Sequence, residues 1–305
     1  MTRYIARRLM ETIVVVFLSL TAVFLMLHLT GDPVKLFLPT DALPSQIAEV
    51  RHRLGFDRPI WIQYLSFVTK AARGDFGESL RYGAPALDLL LERFPATFEL
   101  TAWAMLFSLL TAIPIGVISA AKRNSFVDYT GIMVTVIGQA VPGFWLGIMG
   151  IILFSVKLGW LPTGGRGSWE HLVLPTVTLA AYTAARFARI TRSSMLDVLS
   201  LDYVRTARAK GLAERYVLYR HSLKNALIPL LTLVGLQLGQ LLGGAVVTET
   251  VFSWPGIGRL LVQALLNRDF PLVLAGVFWI SLVISLTNLL VDLAYAWVNP
   301  QIRYG

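Results

Sequence analysis

The sequence predicts an all-α protein that crosses a membrane several times. Hydrophobic residues make up 55% of the 305 and charged residues only 15%, with a mean hydropathy of +0.64; a soluble domain carries roughly a quarter charged residues. Several apolar runs approach or exceed the roughly 18 residues that suggest a bilayer-spanning helix. Those runs are continuous, whereas a membrane barrel shows alternating segments of about ten residues.

The first span is expected at Leu9–Leu29, behind Arg3, Arg7 and Arg8. It has the look of a secretory signal, but His28-Leu29-Thr30-Gly31 offers no small-x-small cleavage site, so it reads as an uncleaved span. Residues 1–30 are thus an N-terminal cytoplasmic stretch and span 1. Gly31-Asp32-Pro33 stops it. Residues 31–95 follow as a polar loop with eight Lys/Arg and eight Asp/Glu. Three amphipathic helices are expected in it: Pro44–Leu54 (Ile47, Val50 and Leu54 on one face), Pro59–Ala72 (Trp61, Tyr64, Leu65, Val68) and Pro85–Phe94. With a turn at Gly74-Asp75-Phe76-Gly77, they make a small helical external cap between spans 1 and 2.

The transmembrane core is expected over 96–298. Span 2 runs Phe98–Ala120 and ends at Lys122-Arg123. Span 3 runs Gly131–Val156, with Pro142-Gly143 set to kink or split it; Leu158-Gly159-Trp160-Leu161-Pro162 ends it, Trp160 being suited to the interface. Span 4 is Leu172–Ile190, followed by a basic loop over 191–225. Span 5 is Ala226–Val247, a polar stretch covers Glu249–Pro271, and span 6 is Leu272–Val298, leaving a tail at 299–305.

Six spans place both termini on one side. Fifteen Lys/Arg fall on the side of the termini, nine of them between Arg186 and Lys224, and twelve on the other. Short loops decide orientation, so both termini and the 191–225 loop are expected in the cytoplasm. The net charge of +9 is then a matter of topology and membrane lipid, and no nucleic-acid partner is expected. With no cysteine, disulfides and thiolate chemistry are excluded. His28, His52, His171 and His221 lie far apart and include no H-E-x-x-H, so no metal site, catalytic residue or cofactor site is expected. No G-x-x-x-x-G-K-[ST] loop is present to hold a nucleotide.

The stretch Leu201–Pro229 organises the rest. Tyr203–Lys210 is made mostly of good helix formers, and Gly211 breaks the pattern as a C-cap or turn does. Ala213–Arg220 resumes a helical period. Two short helices joined at a glycine on a membrane face form a knob that suits a groove of a soluble partner; the plainer reading is a solvated loop that fixes topology.

At this point the chain resembles the permeases of ABC importers. The segment is similar to their EAA loop, where a glycine separates two short helices and the first docks on the ATP-binding subunit. Against the pattern E-A-A-x-x-x-G this chain reads Arg205-Thr206-Ala207-Arg208-Ala209-Lys210-Gly211. The glutamate position is Arg205, and the usual proline is displaced to Pro229, as in the dipeptide/oligopeptide/nickel branch. Gly31-Asp32-Pro33, Gly74-Asp75-Phe76-Gly77, Leu158-Gly159-Trp160-Leu161-Pro162, Thr248–Gly256 and Asn299-Pro300 extend the likeness over nearly the whole chain. The long first loop is similar to that of the first permease of the pair, with the dipeptide and glutathione branches nearest.

The resemblance implies a type I ABC-importer permease fold and a heterodimer with a second permease. It also implies two cytoplasmic ABC ATPases that use ATP and Mg, and an external substrate-binding protein. The solute implied is a di- or oligopeptide or a glutathione-like molecule, with nickel or a metal chelate as the alternative. Coupling contacts are expected at Tyr203, Arg205, Thr206, Ala207, Lys210, Gly211 and Leu212, with Ala207 and Gly211 allowing close approach. Glu249, Trp254, Pro255, Gly256 and Arg259 are similar to the family's external scoop.

Within the spans, Gln139, Gln237 and Gln240 are candidates for the pore lining, helix–helix hydrogen bonding being the equal alternative. Gly235, Gly239 and Gly243 recur every fourth residue, as close-packed membrane helices require, either within this chain or at a heterodimer seam. Asp292 is the sharpest isolated charge in a span. A proton-coupled secondary transporter uses such a carboxylate; the plainer reading pairs it near the interface with Arg186 or Arg189. A secondary transporter is the rival reading, and it needs two repeated halves that this chain does not display.

Overall fold

The structure, a computed structural model, describes residues 2–29, 43–54 and 56–298. All the regular elements among them are helical apart from one isolated bridge, Glu78 to Pro85. Gly31-Asp32-Pro33, the tail, and the side chains of Ile47, Val50, Leu54 and Asp292 fall outside the described residues and side chains. The described residues form two compact units, one from the residues up to 97 together with 255–289, the other from 98–254 with the chain beyond 289.

In the first unit the helices Thr2–Leu29, Pro44–Leu54, Ile60–Ala71 and Ile257–Leu266 accompany the start of Ala86–Ala121 and most of Phe270–Val298. Leu20, Phe76, Leu90, Leu260 and Leu272 form its core. Ring pairs join separate stretches: Phe24 to Tyr64 at 5.2 Å, Phe76 to Phe278 at 5.0 Å and Phe94 to Trp279 at 5.4 Å. The expected turn is present, with Gly74 and Gly77 at φ +77° and +86°, a region glycine enters without steric cost. Ser79 Oγ donates to the buried Asp269 carboxylate, tying this turn to the start of the last helix.

The expected third cap helix does not end before span 2. Ala86–Ala121 is one helix of 36 residues, running through Pro95. The proline removes one donor, and its helical neighbours on both sides carry the element on.

In the second unit, the expected break in span 3 is complete. Phe126–Ala140 and Gly143–Lys157 meet at 100°, with Val141 extended ahead of Pro142, since a residue before proline is steered from the helical region. The latter half ends as a π-helix, Ile151–Lys157. Glu170–Leu199 is a single helix around which the rest packs, its Phe187 and Ala188 meeting Met105, Ala112, Leu230 and Leu233. By length and composition Ala86–Ala121, Glu214–Leu242 and Phe270–Val291 are apolar enough to cross a membrane, and the bent pair brings the number to four. Glu170–Leu199 is long enough, but Ala, Thr and arginines lower its apolar content.

Two close approaches set the packing of this unit. A Cβ on Gly116 would stand 2.6 Å from Thr191 Cβ and 2.8 Å from the Ala188 carbonyl. One on Gly235 would stand 1.9 Å from Val291 Cγ1, so Gly235 serves packing within this chain.

Candidate coupling site

Asp202–Ala209 is a short helix with Leu201 extended before it and Asp202 in its first turn, where a carboxylate is favoured by the helix dipole. Its end is a Schellman motif. Gly211 N–H donates to Arg208 O at 2.9 Å and Leu212 N–H to Ala207 O at 3.4 Å, with Gly211 at φ +77°. A Cβ on Gly211 would meet nothing within 4 Å, so the conformation alone calls for glycine.

The helix is fastened by its inner face. Val204 and Val217 are fully buried and Ala207 nearly so, against Val198 and Leu199. Burial of a valine side chain is worth about 1.5–3 kcal/mol. Arg208 donates to both Glu214 carboxylate oxygens, at 3.2 and 2.7 Å, closing the loop past Gly211. That carboxylate raises the Arg208 pKa above its ordinary value. Asn225 donates to Tyr203 Oη at 2.8 Å, holding the first turn against the following helix.

Arg205, Thr206, Lys210, Gly211 and Leu212 lie on the outer, exposed side, and Tyr203 is 40% exposed. Among the described residues Arg205 makes a 3.3 Å contact to Asp202, between two well-exposed side chains. Ala207 differs from expectation: it faces the core, because helical spacing places it one turn from Val204 on the same side. The second short helix also differs. Glu214–Tyr216 continues through the π-helix Val217–Ser222 into Leu223–Gly244, with Pro229 inside. Ser222 Oγ donates to Val217 O at 2.9 Å within that π-turn, which takes up the extra residue without a break.

The other singled-out residues are placed as follows. Gln237 is buried and donates to Gln240 Oε1, one turn on in the same helix, at 2.9 Å, and Gln240 is exposed. Gln139 is half-buried and accepts from Arg189. The pairing expected of Asp292 with Arg186 or Arg189 falls on a side chain outside those described. In the second unit, Glu249 and Trp254 are fully buried, and the Trp254 N–H donates to Glu249 O at 2.8 Å. Gly165 N–H donates to Phe252 O at 2.8 Å, and a Cβ on Gly164 would stand 2.2 Å from that oxygen. In the first unit, Pro255, Gly256 and Arg259 begin the helix Ile257–Leu266, whose first N–H donates to Thr97 Oγ1 at 2.9 Å. The glutamate and tryptophan are thus packed inside this unit.

Sequence reasoning missed Asp128. It is 1% exposed and forms an ion pair with Arg192. Ser125-Phe126-Val127-Asp128 is a helix-start pattern, and Ser125 Oγ does accept the Asp128 N–H; nothing in it points to an arginine 64 residues away.

Apolar helices, a broken span and a glycine-terminated basic helix define the class: a polytopic helical membrane protein. Residues 112–304 match the family model "Binding-protein-dependent transport system inner membrane component", and residues 1–101 match the corresponding N-terminal model. The chain belongs to this family, the permease subunits of ABC importers. It is 45% identical over 305 residues, all of each chain, to the glutathione transport system permease protein GsiC of Escherichia coli (strain K12) and of Salmonella typhi. Its fold is shared with an inward-facing MetNI methionine ABC transporter (TM-score 0.57, 20% identity, 69% of this chain and 96% of that one). It is also shared with an amino acid ABC transporter solved with histidines (TM-score 0.53, 16% identity, 69% and 94%).

Proposed function

We propose that this chain is the first permease of a heterodimeric importer for small peptides, glutathione-like ones included. A second permease completes the path, two ATPases that use ATP and Mg drive it from the cytoplasm, and an external binding protein delivers the solute. The substrate reading rests on the relatives named as glutathione transport permeases. The distribution of Lys/Arg supports a cytoplasmic side for both termini and the 191–225 loop.

The observation that carries the coupling role is the two-sided construction of Asp202–Leu212. Its inner side is fastened by Val204, Ala207 and Val217, while Arg205, Thr206, Lys210 and Leu212 stand outward. When the ATPases close, a helix held rigidly at its base passes the movement to Glu170–Leu199 and Leu223–Gly244, the elements on either side of it. Arg205 and Lys210 suit acidic residues of a groove, and Tyr203 and Leu212 suit its apolar lining. Ala207 acts from beneath, through packing.

The test is co-purification from native membranes, wild type beside an Arg205→Glu/Lys210→Glu variant. The wild type is expected to bring two ATPases and a second permease, and the variant to lose the ATPases. A wild type that purifies alone or as a homomer overturns the reading and favours a secondary transporter. Replacing Gly211 with a bulky residue is expected to leave ATP hydrolysis running without transport; normal coupling in that variant sinks the role assigned to the turn.

A further inference from the structure

Four residues of Glu170–Leu199 lie on one line: Tyr182, Arg186, Arg189 and Ser193, spaced by four, three and four. That spacing is one face of an α-helix. Tyr182 is 51% exposed, Arg189 and Ser193 are exposed and Arg186 is half-buried. The opposite face, with Phe187, Ala188, Thr191 and Met195, is buried.

Depth makes this stripe unusual. Arg192 reaches Asp128 at the start of Phe126–Ala140, while Arg189 reaches Gln139 near its end. Those two contacts lie about 16 Å apart along that helix at about 1.5 Å per residue. The Arg189 contact therefore lies further along that span than the Arg192–Asp128 pair. An exposed arginine within a span is costly against lipid and belongs beside a watery path.

The pair is also arranged to give hydrogen bonds. Gln139 Oε1 is taken by Arg189, which turns the amide nitrogen the other way. That nitrogen is buried and donates to no acceptor among the described residues. The guanidinium and the amide both offer donors, and a carboxylate is the matching acceptor. Arg192, by contrast, is neutralised by Asp128.

We propose that the Tyr182–Arg186–Arg189–Ser193 face lines the translocation path and gives it a positive wall that receives the carboxylate of an anionic solute. This rests on the importer reading above and adds the charge class of the cargo to it. Gln139 is the positioning residue that holds Arg189 across the path.

The test uses the absence of cysteine in this chain. Ser193→Cys, expressed with the complete transporter in membranes, is labelled with an anionic and a cationic methanethiosulfonate, each rate normalised to a free thiol. Labelling is read as added mass on this chain. The anionic reagent is expected to react about tenfold faster, as a focused positive field raises local anion concentration. Arg186→Gln with Arg189→Gln is expected to bring the ratio close to one, and the two lysine substitutions to keep it.

No labelling of Ser193→Cys, or a ratio unchanged by the glutamines, overturns the proposal. Should the glutamine variant fail to fold, the ionic strength around Ser193→Cys alone is raised from about 0.01 M to about 1 M, shortening the screening length from about 30 Å to 3 Å. A ratio that does not fall then overturns it equally. A preserved ratio in a chain that recruits no ATPases removes the ATP-driven reading and leaves the positive path standing.

Discussion

Arg192 grips Asp128 with two hydrogen bonds, Nε to Oδ1 at 2.6 Å and the second nitrogen to Oδ2 at 2.8 Å. Asp128 Oδ2 also accepts the Asn124 N–H at 3.0 Å. The pair joins the first turn of Phe126–Ala140 to the helix that leads into the coupling segment, and only Arg192, 24% exposed, keeps contact with the surroundings. Asp128→Ala leaves a partly buried guanidinium without its counter-charge. The expected loss is about 3 kcal/mol, at the lower end for a broken buried pair, read as a lowered unfolding temperature of the purified protein in detergent.

Beneath the coupling helix, packing outweighs charge. Val204→Ala is expected to cost about 1–2 kcal/mol, since it opens a gap against the fully buried Val217. Glu214→Gln removes an ion pair whose partners are 42% and 53% exposed, and is expected to cost under about 1 kcal/mol and less at high salt. Thermal unfolding of both variants with and without added salt checks the order.

Gly116→Ala is expected to destabilise by about 1–3 kcal/mol, because its nearest contacts are a β-branched side chain and a carbonyl that have little room to yield. Gly211→Ala is expected to cost about 1 kcal/mol through its backbone conformation alone, as the space around it is open. Denaturation of the two variants side by side separates crowding from backbone strain.

In the first unit, Ser79→Ala leaves the 1%-exposed Asp269 without its hydroxyl donor. The expected loss is about 1.5–3 kcal/mol, the range for a hydrogen bond to a charged group. Faster limited proteolysis of the turn around Gly74–Gly83 is the measurement that reads it.

Much of the fold was legible because membrane helices announce themselves locally. The break at Pro142-Gly143, the left-handed Gly211 and the turn at Gly74–Gly77 all stand where the residues place them. Two boundaries misled. Pro85–Phe94 and Ala213–Arg220 read as short separate helices, and each is continuous with the span that follows. A polar-to-apolar change marks where a helix changes its surroundings, and it does not end the hydrogen-bond ladder.

The amino-acid sequence by itself determined the class, the helices and the glycine-terminated basic segment, because span length, hydropathy, charge distribution and glycine conformation are properties of neighbouring residues. Only the tertiary structure decided which side of each helix turns inward. It buried Ala207 and Gln237, matched Asp128 to Arg192 and Gln139 to Arg189, and left Tyr182, Arg186, Arg189 and Ser193 along one face. Those pairings join residues 50 and 64 positions apart, and such contacts depend on how whole helices pack, which no local pattern encodes.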